Sequence, residues 1–192
     1  MDIEYEAAFF PIDKNAMRKL LYSKGAKLVT SEYLQKRTAF HLPKGHELKG
    51  GWVRVRQEAE KVTLSVKIVD GNKIENKREI CLEVDDYKKA ELMLETLGCR
   101  KKAYQENKRE VWKMDDVEIT IDEWPYLEPY IEIEGSSEKS IKKAVEKLGL
   151  DWGKAIFHSV DYMYHIKYGV AQEIVYDKTP RITFFDPNPF LK

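Results

Sequence analysis

Residues 130–135 read Tyr130-Ile131-Glu132-Ile133-Glu134-Gly135, and residues 4–6 read Glu4-Tyr5-Glu6. Alternate side chains of a β-strand point to the same face, so each Glu-x-Glu pair places two carboxylates on one side of its strand. Carboxylate oxygens are the ligands that hard divalent cations prefer. These two stretches therefore predict strands with the geometry of a metal site.

The residues between these stretches predict a mixture of helices and strands. Three segments combine a capping residue, an apolar stripe at helical spacing and a terminal glycine: Asp13 to Gly25, Asp85 to Gly98, and Ser137 to Gly149. A fourth helix is expected from about Trp152 to Tyr168. Alternating apolar and polar residues predict strands near 2–9, 37–41, 52–58, 62–69, 76–84, 104–113, 116–122 and 129–134. Short polar connectors between these strands indicate hairpins, so we expect an α+β fold with a mainly antiparallel sheet.

The strand pattern predicts one aliphatic and one charged face for this sheet. Within 52–58, Val53 and Val55 fall on one face, whereas Arg54 and Arg56 fall on the other. The charged face as a whole collects Glu4, Glu6, Arg54, Arg56, Lys67, Arg109, Asp122, Glu132 and Glu134. A sheet with water on its charged side gives the same alternation. If the sheet instead curls into a barrel, the charges line its interior, where unpaired ions would need a charged ligand or a metal.

The composition is typical of a soluble globular protein. Lys plus Arg number 33, as do Asp plus Glu, so no net field attracts the chain to nucleic acid or to an acidic membrane. No apolar run approaches the length of a membrane helix, and the start lacks the pattern of a signal peptide. We therefore expect a cytoplasmic monomer or homodimer, with Cys81 and Cys99 not joined in a disulfide. We expect one domain over residues 1–168, with an irregular tail over 169–192 packed on it.

Several strand motifs occur in a fixed order from residue 2 to about residue 168. They are Glu4-Tyr5-Glu6-Ala7-Ala8, Trp52-Val53-Arg54-Val55-Arg56, Thr63-Leu64-Ser65-Val66-Lys67, Lys77-Arg78-Glu79-Ile80-Cys81-Leu82-Glu83, Lys108-Arg109-Glu110-Val111-Trp112, Ile121-Asp122-Glu123-Trp124-Pro125 and Tyr130-Ile131-Glu132-Ile133-Glu134-Gly135. Together they resemble the CYTH family, also called the triphosphate tunnel metalloenzymes. This family includes class IV adenylyl cyclases, thiamine triphosphatases and inorganic triphosphatases. The ordered set is far more specific than any one of its motifs.

The resemblance implies a closed eight-stranded antiparallel β-barrel with helices packed outside, and a triphosphate bound inside it. We expect divalent-metal-dependent hydrolysis of inorganic tripolyphosphate, thiamine triphosphate or a nucleoside triphosphate, with Mg²⁺ or Mn²⁺ as the cofactor. The implied metal ligands are Glu4, Glu6, Asp122, Glu132 and Glu134. The implied substrate-binding residues are Arg54, Arg56, Lys67, Arg78 and Arg109, and the implied catalytic residues are Glu4, Glu6, Arg56 and Lys67. Hydrolysis is preferred to a cyclase reaction, because it requires only the phosphate chain and water. Cyclic AMP formation from ATP and binding without catalysis remain the alternatives.

Two departures from the family pattern concern the charge inside the barrel. Ala8 stands where the family motif Glu-x-Glu-x-Lys has its lysine, and Lys36, Arg37 and Arg78 are the cations that could replace that charge. The stretch 35–43 lies where the family often has Gln-x-Asp-x-Tyr-Phe-Asp, and it differs at Arg37, Ala39 and His41. We expect the second departure to affect substrate choice or the mouth of the barrel. The first departure favours binding without turnover.

Overall fold

The computed structural model describes residues 1–71 and 73–191, without the side chain of Asp2. The strands are β1 (Asp2–Ile3), β2 (Tyr5–Phe9), β3 (Lys27–His41), β4 (Gly51–Glu58), β5 (Lys61–Val69), β6 (Lys77–Val84), β7 (Arg100–Met114), β8 (Val117–Glu123), β9 (Tyr130–Gly135) and β10 (Arg181–Ile182). The helices are α1 (Lys14–Ser23), α2 (Tyr87–Thr96), α3 (Glu138–Leu148), α4 (Val160–Tyr168) and α5 (Gln172–Asp177). Single 3₁₀ turns occur at Ile74–Asn76 and Trp152–Lys154.

Apart from β10, the strands form one curled antiparallel sheet whose two ends meet on the N-terminal segment. The order of the strands is β1, β6, β5, β4, β3, β7, β8, β9, β2. Because β1 and β2 are consecutive parts of one segment, their pairing with β6 and β9 joins the two ends of the sheet. At the interruption between them, the backbone N–H of Glu4 donates to the carbonyl of Lys77 at 3.0 Å. With β1 and β2 counted as one strand, the predicted eight-stranded barrel is confirmed.

The alternation along the strands separates an outer apolar face from an inner charged face, as predicted. Outside the barrel, Val53 and Val55 pack in one buried cluster with Leu94 of α2. Ile119 of β8 packs in another cluster with Ile141 of α3. Burial of each such side chain stabilises the fold by about 1.5–3 kcal/mol. The intervening polar side chains must therefore turn into the barrel.

Local signals place three helices where the sequence predicts them. Asp13 accepts the N–H of Ala16 at 2.7 Å, and Asp86 accepts the N–H of Lys89 at 2.9 Å, as helix N-caps do. Gly149 ends α3 with a φ of +70°, a conformation that costs energy for residues with a Cβ. In the described part of the chain, no helix combines the length and the apolar character needed to cross a membrane.

The predicted helix over 152–168 is wrong in its first half. After the 3₁₀ turn at Trp152–Lys154 the chain is extended, and Ile156 exchanges two backbone hydrogen bonds of 2.9 Å with Ala8. This bridge occupies backbone groups that a helix would need for its own hydrogen bonds. The helix therefore begins only at Val160.

The prediction of an irregular tail is wrong in two places, because α5 and β10 lie within it. The strand β10 pairs in parallel with β7, where Ile182 lies opposite Gln105. Val175, Ile182 and Phe190 of the tail are at most 5% exposed, and they pack in one cluster with Tyr164 of α4. The tail thus contributes to the core, although its elements are too short for a periodic pattern to reveal them.

Two strands are much longer than predicted. The strands expected at 37–41 and 104–113 are parts of β3 and β7, which have 15 residues each. The first half of β3 is mostly exposed on both sides, so its sequence carries no clean alternation of apolar and polar residues. Pairing with β7 along almost its whole length nevertheless keeps this half extended.

Candidate active site inside the barrel

The inner face of the barrel encloses a cavity of about 710 Å³. Its wall mixes carboxylates with guanidinium and ammonium groups. The acidic side chains of the wall include Glu4, Glu6, Glu58, Glu79, Glu132 and Glu134, and the basic ones include Arg37, Arg54, Arg56, Lys67, Lys77 and Arg109. A cavity of this size, with opposite charges on facing strands, suits a small and highly charged ligand.

The two N-terminal carboxylates lie beside two lysines from neighbouring strands. The Nζ atom of Lys67 lies 2.6 Å from Oε2 of Glu4 and 3.9 Å from Oε2 of Glu6, and Lys77 donates to Glu6 from the other side. Burial alone would raise the pKa of Glu6, but Lys67 and Lys77 lower this pKa to about 2. Burial, and then the neighbouring Glu79, raise the pKa of Glu4 to about 8 against the charge of Lys67. The two adjacent acids therefore have opposite tendencies to bind a proton.

The carboxylates of β9 lie next to those of the N-terminal segment because of the strand register. Glu6 pairs directly with Glu134, and Ala8 pairs with Glu132. Burial, and then repulsion by Glu6, raise the pKa of Glu132 to about 7, and the same two causes raise the pKa of Glu134. The structure thus brings together the two Glu-x-Glu pairs that the sequence placed far apart.

Three arginines from β4 and β7 belong to the positive part of the wall. Arg54 Nη2 donates to Oε1 of Glu79 at 2.9 Å, and Arg56 Nε donates to Oε1 of Glu58 at 2.8 Å. Arg109 Nη2 donates to Oε2 of Glu132 at 2.9 Å. Each of these guanidiniums has further N–H groups, so a phosphate chain could be bound without complete loss of the carboxylate contacts.

The prediction that Asp122 is a metal ligand is corrected by its position behind Arg109. Its side chain is fully buried, and both of its oxygens already accept protein hydrogen bonds. Arg109 donates to both oxygens at 2.9 and 2.8 Å, Asn107 donates to Oδ1 at 2.6 Å, and Thr120 donates to Oδ2 at 2.8 Å. Asp122 therefore orients Arg109 toward the cavity and has no oxygen left for a metal.

The prediction that Arg78 binds substrate is also corrected. Alternation along β6 turns Lys77, Glu79 and Cys81 into the cavity, whereas Arg78 is exposed on the outer face. The resemblance matched the strand correctly, but it did not fix which of two adjacent cations faces inward. The pairing of Lys67 with Glu79 in the register of β5 and β6 decides this point.

Sequence reasoning missed Lys77 and Glu79, and it gave Glu58 no role. Glu58 lies two residues after Arg56, so the alternation along β4 predicts that its side chain faces the same way as those of Arg54 and Arg56. For β6 the signal is weaker, because Ile80 and Leu82 on its outer face are exposed and the strand has no buried apolar face. Arg37, considered as a replacement for the missing lysine and as a residue that affects substrate choice or the mouth of the barrel, is a buried residue of the wall.

Comparison with known proteins identifies the fold and its family. The CYTH domain profile matches residues 2–158. The chain belongs to the CYTH family. This CYTH chain has no match among curated proteins.

Several solved structures share the CYTH barrel at low sequence identity. A protein from Pyrococcus horikoshii OT3 is 20% identical, with a TM-score of 0.68 over 81% of this chain and 96% of its own. A candidate adenylate cyclase from Vibrio parahaemolyticus is 14% identical, with a TM-score of 0.71 over 84% of this chain and 97% of its own. A candidate adenylyl cyclase from Hippeastrum, described as having a dominant triphosphatase activity, is 13% identical, with a TM-score of 0.56 over 89% and 97%. The CYTH fold is thus found in proteins described as candidate adenylate cyclases and in one described as having triphosphatase activity.

The acidic wall of this CYTH barrel has the donors that a hard divalent cation requires. Among the described residues, no group of three His, Cys, Asp or Glu side chains is already arranged around a metal position. Glu4, Glu132 and Glu134 nevertheless have raised pKa values, because burial first, and then neighbouring carboxylates such as that of Glu6, disfavour their ionised forms. A divalent cation would relieve this repulsion, and the purely carboxylate donors suit Mg²⁺ or Mn²⁺. The residues present therefore fit a metal of this class.

Proposed function

We propose that this CYTH protein is a divalent-metal-dependent triphosphatase that acts on inorganic tripolyphosphate, thiamine triphosphate or a nucleoside triphosphate. One observation carries the proposal: the wall of one cavity combines the cations Arg54, Arg56, Lys67 and Arg109 with several glutamates. Cations suit the phosphate oxygens, and the carboxylates suit the metal that accompanies such a substrate. Membership of a family that includes triphosphatases supports this assignment.

The cationic wall would bind the phosphate chain and stabilise the charge that develops during hydrolysis. Negative charge moves onto the bridging oxygen of the leaving group as its P–O bond breaks. Arg54 and Arg56 lie on adjacent inward positions of β4, and Lys67 lies on β5 beside them. Ion pairs with Glu79 and Glu58 hold Arg54 and Arg56 in place, so these two arginines can stabilise the transition state with little rearrangement. Arg109, oriented by Asp122, would bind the chain from the opposite side of the barrel.

Glu4, Glu6, Glu132 and Glu134 would hold Mg²⁺ or Mn²⁺. When bound, such an ion neutralises phosphate oxygens and lowers the pKa of a water molecule. The lysines that lie beside Glu4 and Glu6 would then be free to bind phosphate oxygens.

A second candidate function is binding of triphosphate or polyphosphate without catalysis. The specific observation in its favour is Ala8, which is 3% exposed and lies in an apolar cluster with Trp124 and Tyr130. A lysine is therefore missing from the inward face of the strand that carries Glu4 and Glu6. The structural likeness to candidate cyclases keeps cyclic AMP formation as a third outcome of the experiment.

The test is an activity assay with matched substrates and metals. Tripolyphosphate, thiamine triphosphate and ATP are each incubated with Mg²⁺, Mn²⁺ or EDTA, and both phosphate and cyclic AMP are measured. We expect metal-dependent phosphate release that is lost in Arg56→Ala and retained in Arg78→Ala, whose side chain lies outside the barrel. Ligand-dependent thermal stabilisation without product would favour the binding protein, and cyclic AMP would favour the cyclase. If none of the three substrates gives a product or stabilises the protein, the assignment of a triphosphate site is refuted.

A further inference from the structure

Arg37 differs from the other guanidiniums of the barrel in its electrostatic environment. It is 7% exposed, it lines the cavity, and it lies opposite Arg56 on the neighbouring strand. Arg54, Arg56 and Arg109 each form an ion pair with a carboxylate. Within residues 1–71 and 73–191, no carboxylate lies within ion-pair distance of Arg37. Arg37 is therefore a buried positive charge surrounded by other positive charges.

Neutral groups hold the Arg37 guanidinium in a fixed position. Its Nη2 atom donates to the side-chain oxygens of Gln35 and Asn107, and its central carbon lies 4.4 Å from the ring centroid of Trp124. Amide oxygens and an aromatic face orient a guanidinium, but they do not neutralise it. The pKa of Arg37 falls to about 9, because burial and then the charges of Arg54, Arg56 and Arg109 disfavour the cation.

Unused hydrogen-bond donors accumulate around this residue. In the described part of the chain, the buried Nε of Arg37, Nε2 of Gln35 and Nε1 of Trp124 have no acceptor, and the same is true of Nε of Arg54. Buried polar atoms in folded proteins almost always have a partner, since an unpaired donor is costly. All four atoms are donors, and an anion rich in acceptor oxygens would satisfy them and also neutralise Arg37.

These unpaired donors lie on the side of the barrel where Ala8 replaces the lysine of the family motif. Ala8 and Trp124 belong to the same buried cluster, and Arg37 stacks on Trp124. A lysine on the inward face of β2 would approach the cavity from this side. Arg37 instead brings a positive charge to this side of the barrel from β3, at a position where the family often has an aspartate.

We propose that Arg37 and the indole N–H of Trp124 form a phosphate subsite that takes the terminal, unesterified phosphate of a linear triphosphate. The ligand class assigned to this subsite, a triphosphate, rests on the proposed function. A terminal phosphate has three free oxygens and the highest charge of the chain, which matches several donors around an unpaired guanidinium. An internal phosphate has only two free oxygens, and an organic ester would bring apolar atoms against the same donors.

The proposal is tested by calorimetric binding of two inorganic ligands to the full-length protein. Linear tripolyphosphate has terminal phosphates, whereas cyclic trimetaphosphate has none. We expect Arg37→Gln to weaken tripolyphosphate binding about tenfold to a hundredfold and Trp124→Phe to weaken it about threefold to tenfold. Trimetaphosphate binding should be weak and unchanged by Arg37→Gln. Arg37→Lys should retain part of the affinity, and Arg78→Gln on the outer face should retain all of it.

A thermal unfolding measurement separates this role from a structural one. If Arg37 only supports the fold, Arg37→Gln will lower the melting temperature of the ligand-free protein. We expect an unchanged or higher melting temperature, because the substitution removes a buried charge without a counterion. If Arg37→Gln loses affinity equally for tripolyphosphate and trimetaphosphate, or loses none for tripolyphosphate, the subsite is refuted. The assignment of a triphosphate site would still stand. Failure of the wild-type protein to bind tripolyphosphate would overturn the proposed function and the subsite together.

Discussion

Replacement of Glu132 by glutamine should stabilise the metal-free protein at alkaline pH and leave its stability unchanged at acidic pH. Burial and the charge of Glu6 raise the pKa of Glu132 to about 7 from the ordinary value of 4.5. Between these two pH values the folded state binds a proton that the unfolded state has released. Stability from Glu132 is therefore fully present below pH 4.5 and is lost as the pH rises through 7.

The expected magnitude follows from the two pKa values. Their difference corresponds to about 3.4 kcal/mol at about 1.36 kcal/mol for each pH unit. The Glu132 side chain is 24% exposed, and water reduces such effects, so we expect about 1–3 kcal/mol. Glutamine is neutral at every pH and keeps an oxygen that can accept from Arg109. Glu132→Gln should thus equal the wild type at pH 4 and exceed it by this amount at pH 8.

Urea denaturation of both proteins in EDTA at pH 4, 5, 6, 7 and 8 measures the difference directly. All other titrating groups are shared, so they contribute little to the difference between the two curves. Addition of Mg²⁺ at pH 8 should stabilise the wild type more than the variant, because Glu132 is ionised at this pH and gains a cationic partner, whereas glutamine carries no charge. A difference that does not change with pH, or a variant less stable than the wild type at pH 8, would refute the reasoning.

Other predictions test the cationic wall, its support, the metal and the tail. Lys67→Ala should lower kcat/KM for tripolyphosphate at least about a hundredfold, and a loss below threefold in a phosphate-release assay would exclude Lys67 from the site. Asp122→Ala should lower the free energy of unfolding by about 3 kcal/mol, because Arg109 would lose its buried partner; a urea titration that gives a loss below about 1 kcal/mol would contradict this. EDTA should abolish phosphate release and added Mg²⁺ or Mn²⁺ should restore it, whereas activity that persists in EDTA would exclude a metal requirement. Phe190→Ala should also cost about 3 kcal/mol by chemical denaturation, and a neutral result would show that the tail adds nothing to the core.

The parts of the fold that the sequence predicts are those with a repeated local pattern. The three capped helices and most of the strands have such a pattern, and the charged positions of β4, β5 and β9 follow from their alternation with buried aliphatic residues. The tail over residues 169–192 has no such repeated pattern. Its helix has 6 residues and its strand has 2, and contacts with α4 and β7 determine them.

The candidate site could be predicted only as far as alternation is unambiguous. Glu4, Glu6, Arg54 and Arg56 lie on the inner face as expected, whereas Arg78 lies on the outer face of β6. The apolar residues of that outer face are exposed, so the strand has no buried side from which its inward positions could be predicted. No local pattern distinguishes an aspartate that faces the cavity from one that lies behind an arginine. The supporting role of Asp122 therefore became visible only from its tertiary hydrogen bonds.

The N-terminal segment that closes the barrel also determines when the site can exist during folding. Glu6 pairs with Glu134 of β9, and Glu4 is fixed beside Lys77 of β6, so the acidic wall depends on contacts between residues far apart in sequence. Such contacts form slowly, because long loops must close first. A partly folded chain would have helices and hairpins but no complete set of carboxylates. Metal and triphosphate would therefore stabilise only the completed barrel, and ligand binding should report full folding of this chain rather than formation of its local structure.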